Sequence, residues 1–126
     1  RFRYFSLQLH QQNLVELEIM KFHALGTGVG AEGVGDIALG TELTTEYNPD
    51  STRATGSLTE LSQLVFRTIG TNTLDSGTPT VTEHGLFTLS SGGVLMDRSK
   101  FTGIALVGAN GDGLQTTYDF TITAGS

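Results

Sequence analysis

Cysteine is missing from this chain, which excludes a disulfide scaffold, a thiolate metal centre and a cysteine nucleophile. Tryptophan is missing too, and Phe87, Phe101, Tyr118 and Phe120 fall at core positions of the pattern, so an aromatic platform for glycans has little to build on. Basic residues are scarce: 7 Lys and Arg stand against 13 Asp and Glu, for a net charge of −6, and Lys21 and Lys100 are the only lysines. Nucleic acid and anionic membrane both reward clustered positive charge, so neither is an expected partner. Charged residues of either sign make up only 16%, against roughly 25% in an average domain. No apolar run approaches the roughly 18 residues of a membrane span, and the amino end lacks the basic-then-apolar plan of a signal peptide. These absences predict a soluble chain.

What is present is one domain's worth of sequence, 126 residues rich in glycine and threonine, a balance that favours strands and turns over helices. The chain opens at Arg1 rather than at methionine, which predicts a processed or partial product. Val15, Leu17 and Ile19 alternate with Glu16 and Glu18, but Met20, Phe22 and Ala24 continue in the opposite phase. A slip of one residue exchanges the two faces of a strand, so it separates an amino-terminal arm, 1–18, from a domain, 19–126. Phe2, Tyr4, Phe5, Val15 and Leu17 are too apolar for a solvated arm and are expected at an interface with a neighbouring subunit.

Within the domain, Gly26, Gly28, Gly30, Gly33, Gly35 and Gly40 predict a loop with at most one helical turn near Asp36 to Leu43. Asn48-Pro49-Asp50 and the run Asp75 to Pro79 mark turns. Leu61 to Ile69 reads as one central strand and Val81 to Leu89 as a strand broken at Gly85. Val94 to Asp97 is short, and Phe101 to Val107 is apolar enough to lie inside. Asn110-Gly111 is the strongest hairpin signal. Leu114, Thr116, Tyr118, Phe120 and Ile122 alternate with polar neighbours, predicting a last strand with one buried face. The sum is an all-β protein, an antiparallel, jelly-roll-like β-sandwich with an extended amino-terminal arm.

Motifs that could carry chemistry are weak. Gly28, Gly30 and Gly33 fit G-x-G-x-x-G, but a dinucleotide site needs a helix next, and Gly35 and Gly40 would each cost it about 1 kcal/mol. No Gly-Lys-Ser/Thr provides a P-loop. His10, His23 and His84 form no close pair at helical spacing, and Glu83 and His84 point to opposite faces of a strand, so structural histidines are expected. Asp112 in Asn-Gly-Asp-Gly lacks the other ligands of a calcium loop, and the turn accounts for it. Asp97 to Lys100 reads as a solvated turn, with the alternative that Arg98 grips a carboxylate of a neighbouring subunit. No catalytic, cofactor-binding or metal-binding residue is assigned, and no enzyme activity or cofactor is expected.

The runs MKFHALGTG from Met20 to Gly28, TELTTEY from Thr41 to Tyr47, TRATG from Thr52 to Gly56, VTEHGLF from Val81 to Phe87, LMDRSKF from Leu95 to Phe101 and GLQTTY from Gly113 to Tyr118 resemble small virion structural proteins of tailed bacteriophages. That likeness spans most of residues 19–126 and leaves the arm uncovered. It implies a non-enzymatic β-sandwich in the virion, on the outer capsid surface or the tail. The expected role is a capsid decoration or cement protein at junctions between capsid subunits. A tail- or fibre-associated protein is the alternative, and a glycan-binding attachment module is the third. The implied partner is the major capsid protein or another virion protein, with a homo-oligomer such as a trimer as the working form. The acidic balance suits the outside of a particle rather than a face against packaged DNA.

Overall fold

The computed structural model describes residues 20–121 apart from 34 and 63–64. The expected arm, with Phe2, Tyr4, Phe5, Val15 and Leu17, lies outside the described residues, as do Ile122 and the side chain of Phe120. Among the described residues seven strands follow in order: β1 (Phe22–Gly26), β2 (Ala54–Thr55), β3 (Thr59–Ser62), β4 (Val65–Thr73), β5 (Thr80–Phe87), β6 (Leu95–Ala105) and β7 (Gly113–Thr121). They form two antiparallel sheets, a four-stranded one ordered β2-β1-β5-β6 and a three-stranded one ordered β3-β4-β7. The all-β expectation therefore holds. Among the described residues, no helix is long and apolar enough to cross a membrane.

Period-two patterning places the core. In β4, Phe66, Thr68, Gly70 and Asn72 are buried and alternate with more exposed neighbours, so one face of the three-stranded sheet is inward. Leu114, Thr116 and Tyr118 are half-buried, while Gln115, Thr117 and Asp119 are exposed, as the alternation in β7 requires. In β1 the adjacent residues Ala24 and Leu25 are both fully buried because each face of the four-stranded sheet is covered. Leu25 packs with Leu43, Tyr47, Leu74, Val81 and Leu106. Ala24 packs with Leu39, Phe87 and Leu95 under the glycine-rich loop.

Four local expectations are corrected. The run Leu61 to Ile69 is not one strand but parts of β3 and β4, which pair antiparallel with Ser62 opposite Val65; apolar alternation does not by itself say whether two stretches are continuous or paired. Gly85 does not break β5, which runs to Phe87; a Cβ there would lie 2.8 Å from Leu39 Cδ2, so the glycine makes room for the covering loop. Residues from Val94 to Val107 do not form two separate segments, because Leu95–Ala105 is a single strand, β6, and Phe101 to Val107 does not lie inside: Leu106 is buried, but Ile104 and Val107 are exposed. Asn110-Gly111 turns the chain but closes no hairpin: a 3-10 turn at Gly108–Asn110, capped by Gly111 at φ 74°, carries the chain from one sheet to the other. Hydrogen bonds from Leu106 to Pro79 and from Gly108 to Gly77 hold that crossing in place.

The two sheets approach closely where glycines lie under a histidine. A Cβ added at Gly70 would sit 2.5 Å from His23 Cδ2, whereas one at Gly30 meets nothing within 4 Å. Gly70→Ala is accordingly expected to cost about 1–3 kcal/mol by overpacking. Urea melts should show a much smaller loss for Gly30→Ala, and equal losses would contradict this reading of the sheet contact.

Candidate functional site

Two polar centres lie inside this framework, one on each face of β5. Glu83 points to the loop-covered face and is fully buried. Its Oε2 accepts hydrogen bonds from the backbone N–H groups of Gly28 (2.7 Å) and Thr41 (2.9 Å), and its Oε1 accepts from Gly40 N–H (2.9 Å) and Arg98 Nε (2.8 Å). Burial alone would raise the pKa of this carboxyl, but the N–H groups of Thr41 and Gly40, the Arg98 guanidinium and the Gly28 N–H outweigh it and bring it down to about 2. Arg98 gives its remaining bonds to Asp36 Oδ2 (3.0 Å), Ala31 O (3.0 Å) and Gly30 O (2.9 Å). Lys100 closes the group by donating to Gly28 O.

This geometry explains the glycine pattern without a nucleotide. A Cβ at Gly28 would lie 2.5 Å from Glu83 Oε2, so the backbone reaches the carboxylate only because no side chain intervenes. The N–H of Gly28, which a phosphate would need, already serves an anion that belongs to the chain itself. Arg98, expected on a solvated turn or against a neighbour's carboxylate, instead lies in β6 and is 7% exposed. Pairing of β5 with β6 sets Gly85 opposite Arg98 and Glu83 opposite Lys100, which turns the guanidinium onto Glu83 and Asp36 of its own chain.

The second centre faces the other sheet. His23 Nδ1 and His84 Nε2 are 2.9 Å apart, His23 Nε2 is 3.0 Å from Thr68 Oγ1, and Thr116 Oγ1 is 3.1 Å from His23 Nδ1. Burial lowers the pKa of His23 to about 4; burial, and then repulsion from His23, lowers that of His84 to about 3. Both rings are therefore neutral at physiological pH, so one donates the hydrogen bond that the other accepts. At the rim beside His84, burial and the hydrogen bond to Asp97 raise the pKa of Tyr118, which keeps its phenol protonated. Ser99 donates to Asp97 Oδ2 at 3.2 Å rather than to an imidazole. Serine, histidine and aspartate are thus neighbours here without the relay that would activate the serine, because His84 Nε2 is paired with His23.

A third group ties the loops together. Arg53 makes a two-point contact with Glu42 at 2.7 and 2.9 Å, donates to Leu89 O and Gly92 O, and lies 3.5 Å from the centre of the Phe87 ring. Beside it a groove of ≈ 250 Å³ is lined by Asn48, Thr52, Arg53 and Asn72, but Asn72 already bonds Ala54 N and His23 O. Among the described residues no cluster of histidine, aspartate and glutamate suits a metal ion.

Sequence reasoning missed Glu83 as the anchor of the loop and missed the contact between His23 and His84. The first had a signal: a hairpin across residues 88–94 sets Glu83 opposite Lys100 and diagonally across from Arg98, an acid among bases on neighbouring strands. The second pairs residues 61 apart and depends on the register of β1 with β5. No family model, curated protein or solved structure matches this chain significantly.

Proposed function

We propose that this chain is a non-enzymatic structural protein of a tailed-phage virion, a jelly-roll-like β-sandwich that decorates the capsid and stabilises junctions between capsid subunits. The observation that carries the reading is the loop between β1 and β2. It is fastened by Glu83 and Arg98, and between and beside the fastened residues Val29 and Ile37 are 91% and 86% exposed. Two aliphatic side chains held out on a fastened loop suit a contact that forms on assembly, because burying each contributes about 1.5–3 kcal/mol. Repetition of a modest contact over many sites then gives strong attachment. The polar centres support a structural role, since their donors and acceptors serve the chain's own backbone and side chains.

The partner in this reading is the major capsid protein, and the location is the outer shell. The tail- or fibre-associated role differs in copy number. The glycan-binding role is disfavoured because every described aromatic side chain is at least half-buried. Mass-spectrometric quantification of the chain in purified particles of the virus that encodes it tests the proposal. Hundreds of copies per particle are expected; a small multiple of three or six would move the protein to the tail, and its absence from particles would overturn the virion reading.

A further inference from the structure

The two sheets end in four strands, β2, β6, β3 and β7. Exposed strand edges invite another strand, and proteins blunt them by shortness, irregular register, lysine or proline. Three of these edges are blunted. β2 has two residues, β3 has four and a register shift, and β6 shifts register at two places and carries Lys100. β7 is different: its nine residues pair with β4 without a slip from Gly113 opposite Thr73 to Thr121 opposite Val65, and it contains neither proline nor lysine. Among the described residues no strand pairs with its far side. The core is also unfinished there. Phe66, Thr68 and Asn72 on the inner face of β4 are fully buried, whereas Leu114 and Thr116 on the inner face of β7 remain half-exposed.

We propose that β7 is a homodimer seam, where two copies of the chain pair β7 with β7 antiparallel about a two-fold axis at Thr117. Two three-stranded sheets then become one of six strands. The side chains fit such a self-pairing. With Thr117 opposite Thr117, the exposed Gln115 of each copy stands opposite Asp119 of the other, a donor facing an acceptor. Asp119 is already matched by Arg67 of its own chain at 2.7 and 2.9 Å, so no unmatched like charges meet across the axis. Leu114 and Thr116 come under cover at the same time. The contact is isologous, which a two-fold axis closes and a three-fold ring does not. This inference stands on the strand geometry and is independent of the virion reading.

The chain has no cysteine of its own, so a single thiol reports the seam directly. Paired residues across an antiparallel ladder have Cα atoms about 4.5–5.5 Å apart, within the roughly 4.4–6.8 Å that a disulfide spans. Full-length Thr117→Cys is expected to form a covalent dimer rapidly under mild oxidation. Thr73→Cys, at the end of β4, should not. The wild-type chain should sediment as a dimer at micromolar concentration, and Thr117→Lys, which sets two ammonium groups face to face, should sediment as a monomer with unchanged circular dichroism and a melting temperature that, unlike the wild type's, does not depend on protein concentration. A monomeric or trimeric wild-type chain, equal cross-linking at 73 and 117, or a Thr117→Lys dimer as tight as the wild type would overturn the proposal.

Discussion

Glu83→Ala is expected to destabilise the protein by about 3–5 kcal/mol, a large part of the stability of an ordinary domain. The change removes the acceptor of three backbone N–H groups, from Gly28, Gly40 and Thr41, and leaves the Arg98 guanidinium without its buried partner. Glu83→Gln should be nearly as damaging. A glutamine amide offers one oxygen where four donors converge, and its NH₂ group would face N–H groups that also donate. Arg98→Ala should cost less, because the backbone donors still hold the carboxylate. The double variant should lose less than the two single losses combined, since both act through one contact. Urea melts give these values, and hydrogen exchange at Gly28, Gly40 and Thr41 should accelerate in the Glu83 variants. A Glu83→Gln protein as stable as the wild type would show that the loop is held by something else.

Legibility in the sequence followed how local each feature is. Alternation in Leu114 to Asp119 was readable because one face of β7 is wet, and the glycine run was readable as a loop from Gly28 to Gly40 because its backbone could not repeat as a helix or strand, whereas Gly26 belongs to β1. The turn at Asn110-Gly111 was readable as a turn, but which strands it joined was not. Its chemistry sets a local reversal, whereas the partner of β7 is decided by nine cross-strand pairs with β4. The burial of Glu83 and Arg98 was hidden for a related reason. A charge in a strand reads as solvent-facing until a distant loop wraps over it, and here that loop lies about 42 to 55 residues away from Glu83. Arg98 was singled out in sequence, and the geometry gives it carboxylate partners within its own chain. The residues of the expected arm lie outside the described structure.

Acid is expected to remove several kcal/mol of stability well before Glu83 itself protonates. His23 and His84 have an ordinary pKa of 6.5, and burial lowers them to about 4 and about 3 in the folded protein, with repulsion from His23 adding to the shift at His84. As pH falls below 6.5 the unfolded chain takes up protons at both rings while the folded chain refuses them, so the stability present above that pH is progressively lost. Each ring contributes a slope of up to about 1.4 kcal/mol per pH unit. The loss from each levels off once its folded pKa is reached. Glu83 adds a second, lower window, because its pKa drops from 4.5 to about 2 on folding and its contribution is lost as pH falls through that range. The groups around the imidazoles do not relieve the first window: Thr68 and Thr116 are uncharged, Tyr118 is a protonated phenol, and Asp97 accepts from Tyr118 and Ser99. Glu83 lies on the opposite face of β5 and is neutralised by Arg98. Denaturant melts between pH 7 and pH 4 should therefore show a falling free energy of unfolding. In His84→Gln the slope between 6.5 and 4.5 should be about half that of the wild type, since one of the two titrating rings is gone. A wild-type stability that stays flat from pH 7 to pH 5 would mean that the histidine pair is not closed to protons in the folded protein.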